Sequence, residues 1–381
     1  MDIFCNEEHD LIRQTVRDFA EKEIRPIARE LDEKEEFSID LTRKMGEIGL
    51  FGMVVDENYN GQSFDTLSYI IAVEELARID SSQAATVAAH NSLGIGPIYT
   101  YGSDKQKEKY LPRLTTGEYL WGFGLTEPNA GSDSRGTRTT AKLDGKEWVI
   151  NGSKIFITNA ASSITLGTTV QVKTRDRSGR KNLSAIIVEQ NTPGFRAEEM
   201  KNKMMWRASN TAQLYFDNCR VPRENLLGKV GMGSKIMLSI LDSGRLSISA
   251  MGLGLAQGAF EMALKYANQR KQFGRFIGKF QGVSFKLAEM ATKIEAARNM
   301  LYKACWLKDK NRSFAKEAAM SKLFCSEVAR DVADHAIQIH GGYGLMKDYD
   351  IERFYRDQRL LQIGEGTSEI QKIVISRHLG L

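Results

Sequence analysis

Only six prolines serve the 381 residues, at Pro26, Pro97, Pro112, Pro128, Pro193 and Pro222, and none follows Pro222. Proline removes a backbone donor and clashes with the preceding helical turn, so its absence from Arg223 to Leu381 leaves that stretch free to form long helices. Cysteine is scarce too. Cys5, Cys219, Cys305 and Cys325 have no short pairing, and the five histidines (His9, His90, His335, His340, His378) are scattered. Neither a disulfide framework nor a zinc or other metal site is supported, so reduced, buried or idle thiols are expected. No apolar run approaches the roughly 18 uninterrupted residues a spanning helix needs, and no membrane span is expected. Charge of one sign is lacking as well: 53 basic residues are interspersed with 48 acidic ones for a net +5. That balance allows an anionic ligand such as a nucleotide without demanding nucleic acid. The start, Met1-Asp2 with Glu7-Glu8, lacks the basic and apolar segments of a secretion signal and the Arg/Ser richness of a transit peptide. The chain therefore reads as cytoplasmic, or as a mature form stripped of its signal, such as one in the mitochondrial matrix.

At this length one hydrophobic core stops growing, and two or three packed domains are expected. Val283, Leu287, Met290, Ile294, Ala297 and Leu301 recur at alternating steps of four and three, one face of a helix. Residues 226–381 therefore read as a helical bundle. Ile12, Val16 and Phe19 share a helical face before Pro26, and a second apolar helix is expected around Leu67 to Ala77, which makes 1–118 a smaller helical domain. Between them, in 119–225, the period becomes strand-like. It is clearest from Thr139 to Thr158, where Asp144-Gly145 and Asn151-Gly152 read as turns between short Val/Ile/Phe-rich runs. Further strands are expected at Thr168 to Val172, Ala185 to Val188 and Gln213 to Phe216.

Three local patterns each admit two readings. The loop Phe123-Gly124-Leu125-Thr126-Glu127-Pro128-Asn129-Ala130-Gly131-Ser132-Asp133 offers backbone N–H groups and hydroxyls that can hold a ring edge or a phosphate. Alone it is equally an ordinary turn. Gln338-Ile339-His340-Gly341-Gly342-Tyr343-Gly344 follows a helix expected from about Ala315 to Ile339. Its glycines read as a helix C-cap or as a place where another molecule approaches the backbone. Gly364-Glu365-Gly366-Thr367-Ser368-Glu369 precedes a helical run from Ile370 to His378. It reads as an N-cap through Thr367 or Ser368, or as a glutamate exposed for chemistry.

Together these segments resemble the acyl-CoA dehydrogenase family, in the family's order and over nearly the whole chain. The most specific matches are Leu125-Thr126-Glu127-Pro128 through Ser132-Asp133, Asp242-Ser243-Gly244-Arg245, Arg270 with Gln272-Phe273-Gly274, Gln338 through Gly342, and Glu365-Gly366-Thr367-Ser368-Glu369. The resemblance implies a mainly α fold with a central β domain: an N-terminal helical domain, a β-barrel-like middle domain and a C-terminal four-helix bundle. It implies a flavoprotein oxidoreductase of fatty-acid β-oxidation, with non-covalent FAD between the middle domain and the bundle. Phe123, Leu125, Thr126, Gly131, Ser132, Phe156, Ile157 and Thr158 would surround the isoalloxazine. Arg270, Phe273, Gln281, Gln338, Ile339, Gly341, Gly342, Thr367, Ser368 and Glu369 would lie near the dinucleotide, some reaching the FAD of a neighbour in a homotetramer, a dimer of dimers. Ser132, Asp242, Arg245 and Gly366 would contact the acyl-CoA, although Arg245 on sequence alone is equally a surface or helix-pairing arginine. Glu365 would be the base that removes the α-proton, flavin N5 would take the β-hydride to leave the 2-enoyl-CoA, and an electron-transfer flavoprotein would take the electrons.

Two rivals share these motifs. An acyl-CoA oxidase would let reduced flavin meet oxygen, and the compact length without an extra C-terminal domain favours the dehydrogenase. A non-catalytic nucleic-acid-binding or scaffold relative would keep the fold, against which stand Glu365 and the modest charge. Met205 and Ala208 occupy positions where relatives often have glycine, and His90-Asn91 reads as a capping or core pair, or as neighbours of the acyl end. A short-chain substrate is expected, with branched-chain or alicyclic thioesters as the alternative. Gly364 stands where many straight-chain relatives have tyrosine, and the lost ring should widen the pocket. Accordingly α-branched or cyclic acyl-CoAs should be turned over in a substrate panel; activity on butyryl-CoA alone removes that expectation.

Overall fold

The computed structural model describes residues 4–175 and 179–381. Its amino-terminal helices are α1 (Glu7–Phe19), α2 (Ala28–Lys34), α3 (Ile39–Glu47), α4 (Thr66–Ala77), α5 (Ser81–Ala89), α6 (Gly96–Tyr101) and α7 (Asp104–Leu114). Asn6 starts α1 by accepting the His9 N–H at 3.0 Å, while the His9 ring accepts the Asn6 N–H at 3.1 Å. The expected face of α1 packs inward, with Val16 buried and Ile12 and Phe19 against the core. The apolar run of α4 is buried on every side. Its two glutamates are buried with it and are matched: Arg13 and Arg17 reach Glu75 at 2.8 and 2.9 Å, and Arg298 and the Tyr302 hydroxyl reach Glu74 at 3.1 and 2.6 Å. Burial of a charge is tolerated only with such partners.

The middle strands are β1 (Leu120–Gly124), β2 (Thr140–Asp144), β3 (Glu147–Thr158), β4 (Thr165–Arg175), β5 (Lys181–Glu189), β6 (Phe195–Glu199), β7 (Thr211–Pro222) and β8 (Leu226–Leu227). They form one sheet in the order β6-β7-β3-β2-β4-β5-β8, with β1 parallel to β4. The Asp144-Gly145 turn closes the β2–β3 hairpin, pairing Asp144 with Glu147. Asn151-Gly152 is different from its expected reading: it lies inside β3, where the register against β7 slips between Ile150 and Gly152. The extra residue there is on β7, where Asp217 and Asn218 face the single Asn151: Asn218 takes φ +47 and donates its N–H to the Asn151 side chain at 2.8 Å, so Asn151-Gly152 lies in a strand opposite a bulge rather than in a turn.

The carboxyl-terminal helices are α8 (Gly233–Gln269), α9 (Gln281–Asp309), α10 (Ala315–His340), α11 (Ile351–Asp357) and α12 (Ser368–His378); the short hairpin β9 (Lys271–Gln272) and β10 (Arg275–Phe276) joins α8 to α9. The helices α8, α9 and α10 pack on one another and α12 lies on α10. The predicted stripe of α9 is the buried one from Leu287 to Leu301. By length and composition α8 could cross a membrane, yet 72% of its apolar window is buried inside the protein. The segment carrying Met205 and Ala208 is anchored from α11: Trp206 takes φ +45 and donates its N–H to Asp357 at 2.8 Å, and Arg356 donates to the Met204 carbonyl at 3.2 Å. Ala208 is buried, and Met205 packs on the core. Cys219, Cys305 and Cys325 are buried free thiols.

Helices α4 and α8 cross where Gly254 has no side chain, and a Cβ there would overlap the Glu74 carbonyl oxygen. Gly254→Ala should therefore lower the unfolding free energy by about 1–3 kcal/mol in chemical denaturation. Gly282→Ala, with open space around it, should be neutral or slightly stabilising.

Candidate active site

Glu365 sits in a tight turn between residues 358–362, a 3₁₀ turn, and α12. Glu365 has φ +52 and Gly366 φ +97, after which the Thr367 hydroxyl caps α12 by accepting the Ile370 N–H at 3.3 Å. A non-glycine residue in the left-handed region is strained and persists only where its surroundings hold it. Here the Gly366 carbonyl accepts from Lys322 Nζ at 2.7 Å and from Gln371 Nε2 at 2.8 Å. The Glu365 N–H finds no acceptor among the described residues.

The carboxylate turns inward. Its Oε2 atom is closed off from water without a hydrogen bond, and it faces Gly244 of α8, where a Cβ would run into it. Burial pushes Glu365 up to about 7, against the pull of Lys322 and then Arg245. The next residue of α8, Arg245, is buried and paired to Asp242, with its Nε unpartnered. Burial lowers the Arg245 pKa and raises that of Asp242. Asp242, Arg245, Gly366 and Glu365 are thus brought to one place by α8 and the turn before α12.

A second group gathers on the sheet. Phe123 lies on β1 and is buried; Leu125 and Thr126 follow it, and the Thr126 carbonyl accepts the Ile155 N–H at 3.0 Å. On β3, Phe156 takes φ +61 and stands 63% exposed, while Ile157 points into the core. Gly131 and Ser132 are exposed on the loop beyond, with open space around Gly131. The hydroxyls of Thr126, Ser132 and Thr158 have no protein partner among the described residues.

The third and fourth groups are separate. Arg270, Gln272, Ile339, Gly341 and Gly342 line a cavity of about 510 Å³, with open space at both glycines. The helix-cap reading of Gly341 holds as well, since it ends α10 at φ +60. Thr367, Ser368 and Glu369 line another cavity, of about 700 Å³, opposite His335 and Arg359. Gln338 and Gln281 are exposed outside both cavities, and Phe273 projects from the β9–β10 hairpin at 93% exposure. His90 and Asn91 are core residues: the His90 ring binds the Leu114 carbonyl at 2.8 Å, and Asn91 binds Met53 and Leu50 backbone.

Two buried lysines were missed. Lys154 binds Glu127 Oε1 at 2.8 Å and the Leu125 carbonyl at 3.1 Å, and Glu127 also accepts the Arg138 and Thr139 N–H groups. Burial lowers Lys154 to about 8; for Glu127 burial works upward but is outweighed by Lys154 and the backbone donors. The signal was strand parity, since Lys154 shares the inner face of β3 with Trp148 and Ile150. Lys322 stands in the stripe Ala318, Cys325, Ala329 and Val332 of α10, where helical spacing leaves a charge nowhere to go but inward.

Residues 6–118, 122–219 and 231–380 match, in turn, the acyl-CoA dehydrogenase N-terminal, middle and C-terminal domain families. The chain is 48% identical to a probable acyl-CoA dehydrogenase of Bacillus subtilis over 379 residues, covering 100% of each. It is similar to the butyryl-CoA dehydrogenase structure from Megasphaera elsdenii, at TM-score 0.96 and 40% identity, covering 100% of both chains. It is also similar to a Bacillus anthracis acyl-CoA dehydrogenase complexed with FAD, at TM-score 0.93 and 37% identity, over 98% of this chain and 67% of that one.

Lys154→Met leaves Glu127 buried without its cation and should cost about 3–5 kcal/mol in urea denaturation. Adding Glu127→Gln should restore most of it; equal losses in the single and double variants would show that the pair is not coupled.

Proposed function

Because this chain belongs to the acyl-CoA dehydrogenase family, we propose that Glu365 removes the α-proton of a short-chain acyl-CoA held between α8 and the turn before α12. The observation that carries this is the enclosed, unpartnered Glu365 oxygen beside a backbone N–H that also lacks a partner among the described residues. An α-proton next to a thioester is too weakly acidic for an ordinary carboxylate, so the base must be strengthened and the developing enolate oxygen given donors. Desolvation strengthens Glu365, and its own N–H is free to bind the thioester oxygen. Asp242 and Arg245 hold the other side of the substrate with Gly366 and Ser132.

FAD is the cofactor, and it supplies the acceptor for the hydride leaving the β carbon. The residues present fit it: Phe156 offers an exposed ring face, Thr126, Ser132 and Thr158 offer free hydroxyls, and the glycines at 341 and 342 leave room for a dinucleotide beside Arg270. Thr367, Ser368 and Glu369 are assigned to the same ligand. The exposed Phe273, with Gln281 and Gln338, supports a homotetramer in which these residues reach a neighbour's FAD, and by family analogy an electron-transfer flavoprotein is the acceptor. The domain limits that go with this reading are 1–118, 119–225 and 226–381.

A branched or alicyclic acyl group is the second reading, favoured by Gly364: the nearest atoms to a Cβ there would be those of Leu360, at 3.5 Å or beyond.

Anaerobic addition of butyryl-CoA should bleach the flavin, and Glu365→Gln should slow this by about 10²–10⁴-fold. Because Glu365 must be ionised to take a proton, wild-type bleaching should slow as pH falls through about 7 and level off above it. A yellow protein that no straight, branched or cyclic thioester bleaches would overturn the reading.

A further inference from the structure

We propose that Lys322 is a positioning residue for the proton-abstraction step, fixing the Glu365 turn through the Gly366 carbonyl and supplying positive charge behind the base; this rests on the reading of Glu365 as that base. Lys322 is fully buried, at 0% exposure, in the small-residue stripe of α10. A methionine would fill that space without the several kcal/mol cost of taking an ammonium out of water. The ammonium is spent on one backbone carbonyl, at 2.7 Å, and that carbonyl belongs to the residue following the base.

The same oxygen accepts from Gln371, so the turn is gripped from α10 and from α12 at once. Gln371 also reaches the Glu365 carbonyl, at 3.4 Å. With Glu365 at φ +52 and Gly366 at φ +97, a turn released from these anchors would relax, and the carboxylate would leave its place against Gly244. No ion pair ties Lys322 to Glu365, so the carboxylate keeps its lone pairs while feeling the charge. Its field favours the ionised base, in the direction opposite to burial. The other groups acting on the pair are Arg245 from α8, with Asp242 paired to it, Tyr69 from α4, Glu327 from α10 and Glu369 from α12.

The test uses the FAD-loaded protein, with butyryl-CoA as probe, in two measurements: the pH midpoint of anaerobic bleaching and hydrogen exchange of the peptide spanning Gly364 to Thr367. Lys322→Met should move the midpoint upward by about one pH unit, leaving about tenfold less ionised base below it, and should speed exchange in that peptide. Gln371→Leu, which removes the second donor and keeps the charge, should speed exchange without moving the midpoint. Should Lys322→Met fail to fold, Lys322→Gln keeps a donor, loses the charge and should still raise the midpoint. A wild-type midpoint and wild-type exchange in the folded Lys322 variant overturn the proposal. Glu365→Gln separates the two ideas: if it bleaches like wild type, the base assignment fails; if it is inert while the Lys322 variant behaves as wild type, only the role of Lys322 fails.

Discussion

A carboxylate oxygen closed off from water and given no hydrogen bond stays where it is only because the chain around it is held more strongly than that oxygen is repelled. Oε2 of Glu365 is such an atom, enclosed against Gly244. Leaving a buried polar atom unpaired costs on the order of 1–3 kcal/mol, more when it is charged. The cost is borne by the C-terminal helices: α8 brings Gly244 and Arg245, α10 brings Lys322, and α12 brings Gln371 to the back of the turn. The unsatisfied oxygen is what the chemistry needs, because a base already paired to a lysine or arginine would be a weak one.

Several other buried charges follow the opposite rule and are matched by a partner of opposite sign. Glu74 and Glu75 of α4 are surrounded by Arg13, Arg17, Arg298 and Tyr302. Asp80 is paired with the buried Arg353, and Glu127 with Lys154. These pairs join segments far apart in the chain. Glu74 ties α4 to α9, Asp80 ties the start of α5 to α11, and Lys154 ties β3 to the loop carrying Thr126. A broken pair would leave a naked charge inside, so each acts as a register pin for the elements that shape the site.

The sheet contributes rigidity at short range. Between Lys154 and Ile157 two residues of β3 face one of β7, and the positive φ of Phe156 falls in that bulge, which turns an aromatic ring outward from a strand whose other large residues point in. A regular strand would have given Phe156 no reason to stand so exposed. Strain in β3 is in this way converted into a presented surface beside the hydroxyls of Thr126 and Thr158.

What the sequence by itself determined is local: the proline-free stretch and the four-three spacing of Val283 to Leu301 specify long helices, and Thr367 or Ser368 before a helical run specifies a cap. The motifs around Glu127, Arg245 and Glu365 likewise carry their family in consecutive residues, because each is one turn or one helix end. Only the tertiary structure decided that Asn151-Gly152 stays within β3 opposite a bulge of β7, since a turn and a strand differ in what lies across them, here Thr139 and Asn218. It alone put Gly244 against Glu365 and Lys322 against Gly366, contacts between residues distant in the chain. Periodicity shows that Lys154 and Lys322 face inward, but which carbonyl or carboxylate meets each of them depends on how separate elements pack, and no spacing along one element encodes that.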